Sequence, residues 1–315
     1  METRATSGFI KDFIYGPRLH LITGKGGVGK SVISIALALY LKKTRKRVLF
    51  AQMSPIEMEQ DKGSEFFIRI RDNLPAIDYI YIEPKSALEE YGLMILKLKS
   101  VYKLVFEDKM VRSSIKAMPS LSFLLLIGKL WYYCTSKDKT GNYIYDYIVV
   151  DAPSTGMAIS MLNLPHIIND AAPSGPLRDR AIDIEKMLTD RDMTTVHIVT
   201  TCEETPVNEA LEIYNTIHRR LFIKFGIFFV NQYEQIVNEE LDYMSQNLSF
   251  IPDMFRDCIN KKILENRYKD EEFKRLLKNI PESDRRVIAI PTLENNFNTV
   301  SLIKDIAAHL ERAIE

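Results

Sequence analysis

Leu19-His-Leu-Ile-Thr-Gly24-Lys25-Gly26-Gly27-Val28-Gly29-Lys30-Ser31-Val32-Ile-Ser34-Ile-Ala-Leu-Ala-Leu-Tyr-Leu41 joins three kinds of chain in succession. Leu19–Thr23 is apolar and too short for a helix, so it reads as a buried strand. Ser34–Leu41 reads as a helix. Between them the glycines let the backbone turn so that successive N–H groups point inward at a phosphate. The helix that follows adds its positive N-terminal end. Lys30 supplies a point charge for the outer phosphates, and the Ser31 hydroxyl is placed to ligate Mg²⁺. Gly24 to Val32 is therefore the candidate nucleotide-binding segment. A glycine turn without function is the other reading; it leaves the match of eight positions, Gly24 to Ser31, between a strand and a helix to chance.

Similar short apolar runs recur at Val48–Gln52, Tyr79–Glu83, Tyr147–Val150, Val196–Thr201, Ile227–Asn231 and Val287–Ile290. Most lack polar alternation and read as strands buried on both faces. Helical segments separate them, which predicts an α/β fold, a doubly wound and mostly parallel sheet. The gap between the runs at Tyr79 and Tyr147 exceeds what one crossover helix needs. Residues 84–145, punctuated by Pro119 and Gly128, therefore read as an inserted helical subdomain. A second helical stretch is expected at about 235–285, broken by Pro252 and Pro281, and a closing helix at Val300–Ile314. The whole chain, 1–315, reads as one domain carrying these additions.

Charge is balanced, with 42 basic and 42 acidic residues, so no long-range basic field is available for nucleic acid or an anionic membrane. No nucleic acid partner is expected. Cys134, Cys202 and Cys258 are far apart and form no CxxC pair, which argues against a disulfide framework and for a reducing, cytoplasmic compartment. Met1 to Pro17 lacks the pattern of a secretory signal. The greasiest run, Leu121–Tyr133, holds Gly128 and Lys129 and is shorter than the roughly 20 residues a membrane span needs.

Tyr147-Ile-Val-Val-Asp151 is an apolar strand ending in an acid. An Asp at the carboxyl end of a core strand beside the phosphate loop can hold Mg²⁺ through water; capping of the next turn is the alternative role.

Gly24-Lys25-Gly26-Gly27-Val28-Gly29-Lys30-Ser31 resembles the deviant Walker A group of P-loop ATPases, a SIMIBI-type fold. That group includes arsenical-pump ATPases, tail-anchored-protein-targeting ATPases, the MinD and ParA positioning ATPases and the nitrogenase iron protein. The resemblance implies that Lys25 reaches across a dimer interface to the partner's nucleotide. Asp151-Ala-Pro-Ser-Thr-Gly-Met157, followed by Ile159, Met161, Leu162 and Pro165, resembles the switch II of the arsenical-pump and tail-anchored-targeting ATPases. Phe229-Val-Asn231-Gln232 is similar to the strand end whose Asn reads adenine, and Ala289-Ile-Pro291 to the segment packed on the base's other side. Thr200-Thr-Cys-Glu-Glu-Thr-Pro-Val-Asn-Glu209 resembles a Glu-rich loop and helix start of bacterial members. The implied cofactors are ATP and Mg²⁺. The implied catalytic residues are Lys25, Lys30 and Asp151.

Two departures bear on turnover. The family's switch I Asp, which positions the attacking water, aligns with Ser54, and a hydroxyl is a poor base at neutral pH. Glu57 is a candidate substitute. The family's switch II His is Met157. Slow hydrolysis, or hydrolysis carried by a paralogous subunit, is the expected consequence. The three cysteines match neither the family's metalloid site nor its bridging zinc site.

Leu93–Leu98, Val101–Phe106 and Leu121–Ile127 are apolar round most of a helix, with Met94, Met110 and Met118 nearby. Such faces either pack on the sheet and a dimer mate or form a client groove, as the targeting ATPases do. The expectation is an ATP-driven dimer, with an identical or a paralogous mate, that presents a surface to a protein or membrane-protein partner. A regulatory ATP-binding subunit is the first alternative. A positioning ATPase is the second, although Asp305, Glu311 and Glu315 leave the closing helix without a basic anchor.

Overall fold

A computed structural model describes residues 7–54, 62–84, 86–87, 119–171, 173–233, 243, 245–247, 252–293 and 298–315. Its strands are β1 (Leu19–Gly24), β2 (Val48–Met53), β3 (Asp78–Ile82), β4 (Tyr147–Asp151), β5 (Thr194–Thr200), β6 (Phe225–Asn231) and β7 (Val287–Ile290). They form one seven-stranded sheet in the order β3-β2-β4-β1-β5-β6-β7, with every neighbouring pair parallel. Each expected apolar run is a strand, with ends shifted by at most two residues.

The helices are α1 (Ser7–Tyr15), α2 (Lys30–Lys42), α3 (Lys62–Asn73), α4 (Pro119–Thr135), α5 (Thr155–Ala171), α6 (Pro176–Thr189), α7 (Glu204–Thr216), α8 (Asp253–Lys278) and α9 (Thr299–Ile314). A single π-helical turn, Ile217–Leu221, extends α7. Alternate residues of each strand feed two cores. Leu19, Leu21, Leu49, Ala51, Ile148 and Val150 face α4, α5, α6 and α7. Ile22, Phe50, Val149, Val199 and Phe229 face α1, α2, α3 and α9. Helices on both faces make the sheet doubly wound.

The amphipathic closing helix shows why these segments fold as they do. Val300, Ile303, Ile306, Ala307, Leu310 and Ile314 recur at helical spacing and are all buried, while Lys304, Asp305 and Glu311 stay outside that stripe. Asn298 starts it by accepting the Val300 N–H at 3.0 Å. The buried stripe packs against α2, which fixes the back of the phosphate-loop helix.

Two local expectations are revised. Burial on both faces fails at the sheet edges: Asp78 in β3 is exposed, Tyr79–Tyr81 are half-buried, and β7 alternates between buried and half-buried. Edge strands have one unpaired side, so less of their surface is covered. Gly128 does not break the chain but lies inside α4. A lone glycine lowers helix stability by only about 1 kcal/mol, which burial of Leu126, Ile127 and Leu130 in the main core offsets. That packing joins α4 to α5 and α6 over the sheet, so Phe123, Leu126 and Ile127 cover the core, the first of the two alternatives for this run. The remaining insert segments, with Met94, Met110 and Met118, lie outside the described residues, as does Glu57.

Candidate functional site

β1 and β4 are neighbours, and the chain leaves them for helices on opposite faces of the sheet, β1 for α2 and β4 for α5. A crevice opens at such a switch point, beyond the carboxyl ends of the strands. Gly24–Ser31 fills the start of that crevice, with Asp151 ending β4 beside it.

Two glycines of the loop are enforced by close approach. Gly24 has φ +150°, and a Cβ there would lie 2.0 Å from the Val199 carbonyl oxygen. Gly29 has φ +92°, and a Cβ would lie 2.4 Å from Asn231 Nδ2. Gly26 and Gly27 sit exposed at the crest with open space before them. No side chain caps the start of α2, where Gly29 is the N-cap, so its first N–H groups remain available to an anion. Val28 turns inward and is buried in the α2-side core; Val32 packs half-buried against it.

Lys30 Nζ donates to the Lys25 carbonyl oxygen at 2.9 Å, curled over the loop. Burial pushes its pKa down, opposed by Asp151 and Glu209. Ser31 Oγ donates to Asp151 Oδ2 at 2.6 Å. Asp151 is 5% exposed, and burial raises its pKa to about 6 against the pull of Ser31 and Lys30. Its other oxygen, Oδ1, is shielded and has no hydrogen-bond partner. An alcohol and a carboxylate with an orphaned oxygen form a hard-oxygen donor set, and it suits Mg²⁺.

Asn231 Nδ2 donates to the Val28 carbonyl at 2.9 Å, tying the end of β6 to the loop. Asn231 pairs with Ile290 across β6 and β7, which brings Pro291 alongside. Thr23 Oγ1 donates to the Pro153 carbonyl at 2.9 Å, joining β1 to the segment after Asp151. The structure thus brings together Gly24 to Val32 with Asp151, and sets Asn231 and Pro291 at the loop's β6–β7 flank.

Lys25 forms an ion pair within its own chain: its Nζ is 3.6 Å from Glu209 Oε1 on α7. Ser54 is half-buried after β2, its N–H donating to the Ile82 carbonyl at 2.9 Å. Cys134 and Cys202 are buried and Cys258 is exposed, and among the described residues no group of three His, Cys, Asp or Glu side chains could hold a metal. His197 is fully buried against His20, whereas His166 is exposed beside Glu185 and Asp170.

Three residues at the site carry no role in the sequence reading. Glu209 forms an ion pair with Lys25, and its charge also acts on Lys30. Thr155 starts α5 with a shielded, unpartnered hydroxyl, and Gln52 in β2 has a shielded, unpartnered carboxamide oxygen. For Gln52 the available signal was position: a polar residue next to last in an otherwise apolar strand.

Residues 17–172 match the family model described as anion-transporting ATPase. The protein named ATPase BagA of Mycobacterium tuberculosis is 31% identical over 229 residues, which cover 69% of this chain and 65% of the relative. The arsenical pump-driving ATPase of Escherichia coli is 27% identical over 163 residues, 51% of this chain and 27% of that protein. The ATPase ASNA1 homolog of Plasmodium vivax is 25% identical over 151 residues, 48% of this chain and 37% of that protein. The chain spans slightly less than two thirds of the mycobacterial relative's length. Among the described residues no helix is long and apolar enough to cross a membrane.

Proposed function

The chain belongs to the anion-transporting ATPase family, and from that footing we propose that it binds ATP with Mg²⁺ at Gly24–Ser31 and hydrolyses it as one half of a two-subunit switch. The observation that carries this reading is the bond from half-buried Ser31 to buried Asp151, whose Oδ1 is orphaned, set against an uncapped helix start and Lys30.

The loop N–H groups and Lys30 hold the phosphates. Lys30 leaves the Lys25 carbonyl to do so, exchanging one acceptor for a stronger anionic one. Ser31 and Asp151 hold the cation, which when bound neutralises charge on the outer phosphates. Asn231 and Pro291 flank the base; the Asn carboxamide offers both a donor and an acceptor to adenine's edge. Lys25 leaves Glu209 and stabilises charge on the phosphoryl group bound by a second subunit, as an arginine finger does. Closure of two subunits then depends on ATP, and the closed pair presents a surface to a protein or membrane-protein partner.

Ser54 favours a second reading, a regulatory subunit that binds ATP and cleaves it slowly. A hydroxyl orients water without accepting its proton at neutral pH. Turnover of the lone chain, compared with a mixture containing a paralogue, separates the two: single-chain turnover that the mixture does not increase supports the first reading. Binding without turnover, restored by the paralogue, supports the second.

A further inference from the structure

Gln52 and Asp151 stand directly opposite each other in the parallel register of β2 and β4. Neighbouring strands lie about 4.8 Å apart, and residues paired in register project from the same face. That face is set by Phe50 and Val149, themselves a register pair two positions earlier, which are buried in the core beneath α2. Gln52 and Asp151 therefore rise side by side on the α2 face, where Ser31 in the first turn takes Asp151 Oδ2. The two remaining oxygens, Asp151 Oδ1 and Gln52 Oε1, are both shielded from solvent and both without a hydrogen-bond partner. Two acceptors side by side in a shielded place call for a shared donor.

On the reading that this site takes Mg²⁺ with ATP, we propose that Gln52 is a positioning residue. Its carboxamide oxygen works with Asp151 Oδ1 to accept hydrogen bonds from water in the cation's shell. Outer partners of this kind fix the orientation of the inner ligands, and their loss weakens metal affinity by about 10- to 100-fold. Ser54, two residues further on, supplies only a hydroxyl at the strand end, so the fixed acceptor in this strand is Gln52.

The test uses the full chain, a fluorescent ATP analogue and a Mg²⁺ titration. Gln52→Leu removes the acceptor and keeps the volume. Its affinity for the analogue without Mg²⁺ is expected to equal that of the parent, while its half-saturating Mg²⁺ concentration rises at least about 10-fold. Gln52→Glu retains an acceptor and at pH 8 is expected within about 3-fold of the parent. Thermal melts check that both variants fold. A folded Gln52→Leu with the parent's Mg²⁺ dependence overturns the proposal alone. So does a Gln52→Glu as impaired as Gln52→Leu, because the amide nitrogen would then be the group that acts. A parent that does not bind the analogue overturns the nucleotide reading as well.

Discussion

Lys25 Nζ lies 3.6 Å from Glu209 Oε1, an ion pair closed within one chain and about two thirds shielded on both sides. A lysine held this way cannot serve another subunit until the pair opens. The Glu209 charge also acts on Lys30, so it opposes the phosphates that both lysines attract. Glu209→Gln should therefore tighten binding of an ATP analogue. Exposed pairs contribute at most about 1 kcal/mol, so the gain should be no more than about 5-fold and should shrink in high salt. Weaker binding in calorimetric titrations of this variant would show that Glu209 supports the site.

Lys25→Ala should leave ATP binding within about 3-fold and lower turnover at least 100-fold, the scale of a lost transition-state donor. A phosphate-release assay with parallel binding measurements checks this. Loss of binding, with turnover per bound ATP unchanged, would place Lys25 on its own chain's nucleotide.

Asp151 makes metal affinity depend on pH. Burial lifts its pKa to about 6, and the protonated form is neutral and carries no cation. Mg²⁺ affinity in the presence of nucleotide should rise up to 10-fold per pH unit below about pH 6 and level off above it, with proton release on binding in the lower range. Affinity that is flat from pH 5 to 7 contradicts this. Asp151→Asn should lose the Mg²⁺ dependence.

His20 and His197 predict an acid limit to stability. His197 Nδ1 accepts the Ile227 N–H at 3.2 Å, and the other ring nitrogen lies 3.0 Å from His20 Nδ1. Burial pushes His20 down to about 3 and His197 well below its ordinary value. Both folded-state pKa values lie below the unfolded value of about 6.5, so the unfolded chain takes up protons first as the pH falls. The stability they allow is complete above about pH 6.5 and is lost below it, at up to about 1.4 kcal/mol per pH unit for each ring. Asp151, shifted upward, acts in the opposite sense between about pH 4 and 6. His20→Gln should flatten the pH dependence measured by urea unfolding between pH 7.5 and 5; an unchanged slope would remove the pair from the explanation.

Much of this arrangement was legible in the chain. Strand existence followed from short apolar runs, and the loop followed from Gly24–Ser31, because both patterns are local. The edge character of β3 and β7 depends on strand order, which no local pattern carries. Gly128 misled for the same reason: its cost as a helix residue is local, and the core packing that overrides it is not. Gln52 and Glu209 became visible only through sheet register and the position of α7, and both lie far in sequence from the residues they face.

The loop's glycines separate backbone need from ligand need. Gly24→Ala meets a carbonyl at 2.0 Å and should destabilise the fold by several degrees in Tm. Gly26→Ala has no neighbour within 4 Å and should fold like the parent while binding nucleotide less tightly. Equal melting temperatures for the two variants would contradict the close approach at Gly24.

Calorimetric titration of the purified chain with ATPγS and Mg²⁺, beside Lys30→Ala, tests the nucleotide site most directly. The parent should bind saturably at about one nucleotide per chain, and Lys30→Ala should bind at least 30-fold more weakly. A parent that shows no saturable binding, or a Lys30→Ala that binds as the parent does, contradicts the assignment of Gly24–Ser31 as the phosphate-holding loop.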